Sequence, residues 1–153
     1  MKKLFLLLFV SAGCYSQDIE YIKSLDTVYI YFKEADTAKL KNITFWRSQN
    51  EVVGEYRLAD RNDSIKGRGI SVQTHERHIR NIENVNRRKF LKKNKDKIIG
   101  LDFIDKHGVG NTSMTILRVW DRRPIYVIYE EELKKKKMFL RRAFFGYASY
   151  MQM

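Results

Sequence analysis

The sequence predicts one α+β domain in which an antiparallel sheet, made of an N-terminal meander and a C-terminal hairpin, packs against short central helices. Hydrophobic residues alternate in segments near both ends of the chain, which is typical of strands, whereas the middle has helical spacing and capping residues. The composition, 44% hydrophobic and 31% charged with one proline, is that of a folded chain. It excludes a disordered or linker-rich polymer.

Residues 1–16 have the pattern of a secretory signal peptide. Lys2 and Lys3 form a positive start, and Leu4–Val10 is an apolar run too short for a membrane-spanning helix, which needs about 20 residues. The short basic start is typical of bacterial signals. We therefore expect an exported protein, periplasmic or secreted. Its single folded domain would cover residues 17–153 and contain no transmembrane segment after signal removal.

Two outcomes of signal processing stay open. Cys14 and Ser16 are small residues at the −3 and −1 positions of a cut before Gln17, which would release a soluble chain without cysteine. Alternatively, the segment from Ser11 to Cys14 resembles the bacterial lipobox, with Ser11 where leucine is usual. Cys14 would then carry lipid and anchor the protein in the outer membrane. In both cases the sole cysteine serves export, so the fold is expected to contain no disulfide.

Four segments in the N-terminal half have the two-residue period and the β-branched and aromatic content of strands. They are Asp26–Glu34, Asn42–Ser48, Val52–Leu58 and the segment from Ile70 to Thr74. A polar turn separates the second from the third, and a longer polar loop follows the third. We therefore expect a meander of successive antiparallel strands.

Beyond residue 75 the hydrophobic spacing changes from that of strands to that of helices or loops. Asn86 is placed to cap a helix over Arg87–Lys93. The segment Asp102–His107 indicates a second short helix that Gly108 ends, and a third helix follows before Pro124. The middle of the chain is therefore predicted to be mostly helical.

The segment after Pro124 begins with a short apolar and aromatic strand, Ile125–Tyr129. Residues 130–151 then have two interpretations. A helix is favoured by the three glutamates at 130–132, each of which precedes a lysine by four positions. A hairpin is favoured by the aromatic content of Met138–Phe145, because aromatic-rich segments prefer a pleated surface. We expect the hairpin.

The two tryptophans are expected to be core residues. Trp46 lies in the second predicted strand, and Trp120 shares a helix face with Ile116 and Leu117. Large aromatic side chains are highly buried on average in folded domains. Truncation of either tryptophan is therefore predicted to be strongly destabilising.

One group of histidine and glutamate residues has the ligand types of a zinc site. His75, Glu76 and His78, with Glu83 farther along, bring nitrogen and oxygen ligands close together in the chain. His-x-x-His is a short pattern that arises readily by chance, and no later ligand spacing completes a four-coordinate site. We therefore expect no bound metal and no cofactor.

Asp102, Asp105 and His107 are the raw material of acid–base chemistry, since a carboxylate can act beside a histidine. Helix stability explains the same residues, because an early Asp and a late His both favour the helix dipole. The chain contains no Gly-x-Ser-x-Gly elbow, His-Glu-x-x-His motif or phosphate-binding loop. No catalytic residue is therefore assigned. A small periplasmic hydrolase or metal-dependent enzyme is the alternative to a non-catalytic module.

Positive charge dominates the composition, with 30 Lys and Arg against 18 Asp and Glu and a formal net charge of +12. The densest basic run, and the best candidate for binding an anionic partner, consists of Arg87, Arg88, Lys89, Lys92, Lys93, Lys95 and Lys97. A second run, Lys134–Lys137, directly follows the three glutamates, which can neutralise it locally. We therefore expect the first run to bind more strongly than the second.

Export narrows the anions that these runs can meet. Lipid headgroups, lipopolysaccharide phosphates and acidic glycans are plentiful in the bacterial envelope, and an envelope protein is a further candidate partner. Nucleic acid is also a polyanion, and Phe90, Tyr126 or Phe139 could stack bases, but an exported protein is not expected to meet it. The leading hypothesis is a binding or structural module of the envelope with a basic face, and a nucleic-acid-binding protein is the second alternative.

Overall fold

The computed structural model describes residues 18–33, 43–49, 53–60, 69–75 and 82–144, and within these ranges there are three α-helices and eight strands. The helices are α1 (Ile19–Ser24), α2 (Arg87–Asn94) and α3 (Leu101–Trp120), and two 3₁₀ turns cover Lys95–Lys97 and Glu130–Lys134. The strands are β1 (Val28–Ile30), β2 (Ile43–Gln49), β3 (Val53–Asp60), β4 (Gly69–His75), β5 (Ile82–Asn86), β6 (Ile98–Ile99), β7 (Ile125–Ile128) and β8 (Lys137–Phe144). The predicted signal segment, with Cys14, lies outside the described residues.

The described strands form one sheet that curls into a half-barrel. Its order is β2-β3-β4-β8-β7-β1-β6, and β5 also pairs with β8. Strands β5 and β4 pair with the same edge of β8. Strand β5 pairs with residues 137–141 of β8, and β4 pairs with Ala143 and Phe144. Strand β8 therefore joins the two halves of the sheet.

The sheet is mixed, so the expectation of a purely antiparallel sheet was wrong. Strand β1 was expected to begin the meander, but it lies between β6 and β7 and is parallel to both, with Tyr29 opposite Ile98 and Val28 opposite Ile125. All three residues of β1 are buried. Burial on both faces is typical of a central parallel strand covered by helices. Alternation of residue types identified the strand but carried no information about its neighbours.

The other predicted pairings are confirmed. Strands β2, β3 and β4 form the antiparallel meander. Strand β8 returns antiparallel to β7, with Ile128 opposite Leu140, so the hairpin over residues 125–144 replaces the alternative of a continuous helix. The glutamate run lies in the 3₁₀ turn between the two strands.

The middle of the chain contains two strands that were not expected, β5 and the two-residue β6. Residues 82–86 were expected to be helix or loop but form β5, which pairs with β8 along its whole length. Helix α2 begins after the predicted cap, Asn86. The predicted break at Gly108 is present, since its φ of 79° is not helical, but helical structure resumes directly and α3 extends over 20 residues. No described helix is both long and apolar enough to cross a membrane.

Successive residues of β1 divide the buried side chains between two cores, one on each face of the sheet. Val28 and Ile30 belong to the first core, and Tyr29 between them belongs to the second. Helices α1 and α3 cover the first core, to which they contribute Ile22, Phe103, Ile104, Val109, Ile116 and Val119. Helix α2 covers the second core with Phe90 and Leu91. The sheet is therefore covered by helices on both faces.

The prediction that Trp120 is a core residue is wrong, since 37% of its surface is exposed. The buried side of this part of α3 is formed by Ile116 and Val119. Trp120 is the last residue of the helix and lies at the border of that buried stripe. The side chain of Trp46 is outside the described part of the chain, although its backbone lies in β2 as predicted.

Candidate functional site

Helix α2 carries most of the predicted anion-binding residues and is held on the sheet by its opposite side. The Asn86 side chain caps the helix by accepting a hydrogen bond from the Lys89 amide at 3.1 Å. Phe90 is buried and packs edge-on against the Tyr29 ring, with 4.8 Å between the ring centroids. Asn94 is also buried and donates to the Phe90 carbonyl at 3.1 Å. One side of α2 is therefore fixed, and the other faces outward.

The outward side of α2 is basic. Arg88 and Lys92 are four residues apart, as are Lys89 and Lys93, so these pairs share neighbouring positions on the helix surface. All four side chains are exposed, and so is Lys95 in the following 3₁₀ turn, whereas Lys97 is half-buried. The helix contains no acidic residue. The structure thus places most of the predicted run on one exposed face.

Arg87 connects α2 with the second basic run. Its amide donates to the Lys136 carbonyl at 3.1 Å, and its guanidinium donates to the Leu133 carbonyl at 2.5 Å. These contacts place Lys134–Lys137 beside the first turn of α2, and all four lysines are exposed. Two runs that are about 40 positions apart in the sequence therefore form one surface. We call the cations of Arg87–Lys97 together with Lys134–Lys137 the basic surface.

Glu130 and Glu132, the first and third of the three glutamates before Lys134, form ion pairs. Glu130 lies 3.6 Å from the Lys33 ammonium. Glu132 is buried and forms ion pairs with Lys135 at 2.7 Å and Arg141 at 3.5 Å. Its other oxygen accepts a hydrogen bond from the Phe139 amide at 2.9 Å. Within this network Glu132 neutralises Lys135, while Lys134, Lys136 and Lys137 are exposed beside α2.

The Glu132 carboxylate also holds the 3₁₀ turn against β8. Burial alone would raise its pKa, but the hydrogen bonds from Lys135 and from the Phe139 amide, with the charge of Arg141, outweigh burial and lower the pKa. The Arg141 guanidinium in turn lies over the Tyr129 ring, 4.1 Å from its centroid. The sequence did not predict the ion pairs of Glu132. The helical interpretation paired each glutamate with the lysine four positions later, whereas Glu132 pairs with Lys135 and the distant Arg141.

A tyrosine cluster supports the sheet beneath α2. Tyr29 stacks on Tyr126, with 6.0 Å between the ring centroids, and the Tyr126 hydroxyl donates to the Glu83 carboxylate. Burial, followed by the Glu83 hydrogen bond and charge, raises the pKa of Tyr126 to about 12. Burial likewise raises the pKa of Tyr29. These hydroxyls are kept protonated, and Glu83 serves here as a hydrogen-bond acceptor.

Helix stability does not account for the cations in the first turn of α2. Arg87, Arg88 and Lys89 occupy the first turn, where the helix dipole disfavours cations. The basic pairs four residues apart also repel each other. The Asn86 cap and the burial of Phe90 offset these costs. The first-turn charges are thus maintained against the helix dipole, whereas the dipole favours Lys92 and Lys93 in the last turn.

The residues considered for metal binding or catalysis are not assembled into a site within the described ranges. His75 ends β4, with its side chain outside the description, and Glu76 and His78 also lie outside it. In the described part, no three His, Cys, Asp or Glu side chains are grouped as a metal site would require. Asp102 and Asp105 are exposed on α3, and the His107 ring packs against Phe103 at 4.5 Å between centroids.

No protein family, curated protein or solved structure matches this chain.

Proposed function

We propose that this chain is a small exported bacterial protein that acts as a non-catalytic binding module of the cell envelope. Its basic surface binds phosphate-bearing membrane lipids, which include phospholipid headgroups and lipopolysaccharide. The proposal depends above all on one observation, that the exposed side of α2 carries only cations and adjoins a second group of exposed lysines.

The arrangement of these charges favours binding over solubility alone. A surface that only keeps a protein soluble mixes both signs of charge. Here an acid-free helix adjoins the exposed lysines at 134, 136 and 137, and the nearby Glu132 is buried with its own partners. Cations therefore outnumber the exposed carboxylates of Asp96 and Glu131 at this surface. An exposed helix side is also accessible to an extended partner. A continuous anionic membrane surface fits this shape and charge better than a small ligand does.

Nucleic acid is less well supported than a lipid surface. Proteins that bind single strands combine positive charge with exposed aromatic rings on which bases stack. Two of the three aromatic residues considered for this role are committed elsewhere, since Phe90 is buried in the second core and Tyr126 stacks on Tyr29. The aromatic side of α2 faces the sheet and not the solvent.

We expect the purified domain to bind vesicles that contain phosphatidylglycerol or lipopolysaccharide and not vesicles of phosphatidylcholine alone. Binding should weaken as salt is added, because salt screens exposed charges. Each basic residue near an anionic surface contributes about 1 kcal/mol. Arg88→Glu/Lys92→Glu should therefore weaken binding at least about 30-fold in vesicle cosedimentation.

The matched control is Lys134→Glu/Lys136→Glu, which changes the net charge equally. Lys135 is left intact because its substitution would remove an ion-pair partner of the buried Glu132. We expect a smaller loss for this control, since Glu130 and Glu131 lie in the same turn. Equal losses in the two folded variants would contradict the ranking. Absence of vesicle binding at low salt, or tighter binding to a single-stranded oligonucleotide, would overturn the proposal.

Export is proposed from residues 1–16 and is tested separately. The full chain is expressed in a bacterium, the cells are fractionated, and the N-terminus is determined by mass spectrometry. We expect either a chain that begins at Gln17 in the soluble periplasm or medium, or an acylated Cys14 in the membrane fraction. Either result supports export and decides between the two processing outcomes. An intact signal segment on a cytoplasmic protein would contradict it.

A further inference from the structure

A second group of cations lies at the C-terminal end of α3, beside the first residues of β1 and β7. Because β1 and β7 are parallel, the residues that precede them meet at the same end of the sheet. The C-terminal end of α3 and the C-terminal end of α1 also reach this point, since Arg123 contacts the Lys23 carbonyl. Together they enclose a depression of about 360 Å³ that is lined by Lys23, Arg118, Val119, Asp121, Arg122 and Arg123.

The guanidinium of Arg123 is a fixed part of this depression. One of its nitrogens, Nη1, donates to the carbonyl of Lys23 at 2.9 Å and to the carbonyl of Leu25. These two contacts use a single nitrogen of the five-donor group, so its orientation is set while other donors remain for a ligand. A fixed guanidinium loses little conformational freedom when it binds an anion.

Arg118 and Arg122 complete the wall with exposed side chains. Within the described part of the chain, neither arginine forms an ion pair, and neither does Asp121. Lys23 is partly neutralised by Glu20, whose carboxylate lies 2.5 Å from its ammonium. The charge of the depression is therefore carried mainly by three arginines against one aspartate.

We propose that this depression, the arginine pocket, binds a phosphate monoester group. Arginine presents paired N–H donors that match the oxygens of phosphate. Three guanidinium groups can balance the two negative charges of a phosphate monoester in addition to the one carboxylate of the pocket. The pocket is concave, unlike the exposed side of α2, and is large enough for a phosphorylated small molecule or lipid headgroup. Helix-end electrostatics account for Arg118 in the last turn of α3 and for Arg123, which binds carbonyls at the end of α1, but not for the exposed Arg122 beyond the last turn.

The arginine pocket is independent of the basic surface. Helices α1 and α3, which supply it, cover the first core, whereas α2 covers the second core on the other face of the sheet. Failure of lipid binding at α2 would leave this proposal unchanged. Charge reversal at α2 is also expected to leave the pocket intact.

The test is titration of the domain, at low salt, with inorganic phosphate, glycerol 3-phosphate and vesicles containing phosphatidic acid, followed by calorimetry or NMR. We expect saturable binding of glycerol 3-phosphate and at least a tenfold loss in Arg118→Ala/Arg122→Ala. Both side chains are exposed, so this variant should remain folded, whereas Arg123→Ala would also remove contacts to α1. The vesicles are compared in Arg88→Glu/Lys92→Glu, which weakens vesicle binding through α2. In that variant, preference for glycerol 3-phosphate over the vesicles identifies a soluble ligand, and the reverse identifies a lipid headgroup.

Arg88→Ala/Lys92→Ala is the matched control and should bind glycerol 3-phosphate as the parent does. The variant Arg118→Lys/Arg122→Lys keeps the charge but loses the paired donors, and we expect it to bind more weakly than the parent. Equal losses in the pocket variant and the α2 control would show diffuse charge attraction and overturn the proposal. Absence of saturable binding to all three probes would overturn it as well.

Discussion

Glu132→Ala is expected to lower the free energy of unfolding by about 3 kcal/mol, because it removes one partner of a buried ion pair. The substitution leaves Arg141, which is only slightly exposed, without this carboxylate and leaves the Phe139 amide without its acceptor. Urea denaturation at neutral pH measures the change. The control is Glu20→Ala, which removes an ion pair from a glutamate whose side chain is 77% exposed, and its expected cost is within about 0.5 kcal/mol.

The stability contributed by Glu132 should also depend on pH. Its pKa is lowered in the folded protein, so the unfolded chain takes up this proton first as the pH falls. The contribution is therefore complete above the usual glutamate pKa of about 4.3 and is lost as the pH falls through the lower, folded value. The stability difference between the parent and Glu132→Gln should narrow over that interval. A constant difference, or a control as destabilised as Glu132→Ala, would contradict the assigned network.

Phe90→Ala is expected to cost about 3–5 kcal/mol, the usual range for truncation of a buried phenylalanine. Phe90 supplies the main apolar contact between α2 and the second core, through its edge-on packing against Tyr29. Loss of this contact should loosen the basic helix as well as the core. Vesicle binding is therefore expected to weaken although no charge is removed. Denaturant titration gives the stability, and cosedimentation gives the binding.

Met114→Ala is the control for this substitution. Its side chain is 51% exposed on α3, so truncation should change the stability by no more than about 0.5 kcal/mol. If the denaturant midpoints of Phe90→Ala and Met114→Ala were equal, Phe90 would not be a core residue. The docking of α2 described above would then be wrong.

Local patterns in the sequence were sufficient to predict several elements. Alternating residues predicted the β2-β3-β4 meander and the return of β8, because each side of a strand meets a single environment. Asn86 predicted the start of α2, since capping involves residues three apart in the chain. The first basic run was visible for the same reason, because its members lie within one helix and the turn after it.

Contacts between distant residues could not be predicted in this way. The position of β1 between two parallel strands depends on its burial under α1 and α3, and β5 became a strand because β8 offered it an edge. The arginine pocket was missed because Arg118 and Arg122 become neighbours of Lys23 only where two helices end together. Alternation and capping are set by neighbours a few residues away, whereas strand order and pockets are set by packing between distant segments. The sequence by itself thus determined the type of most elements and the basic character of α2. Only the tertiary structure decided that Arg87 joins the two basic runs, that Glu132 is buried beside Arg141, and that the arginines of the pocket lie together.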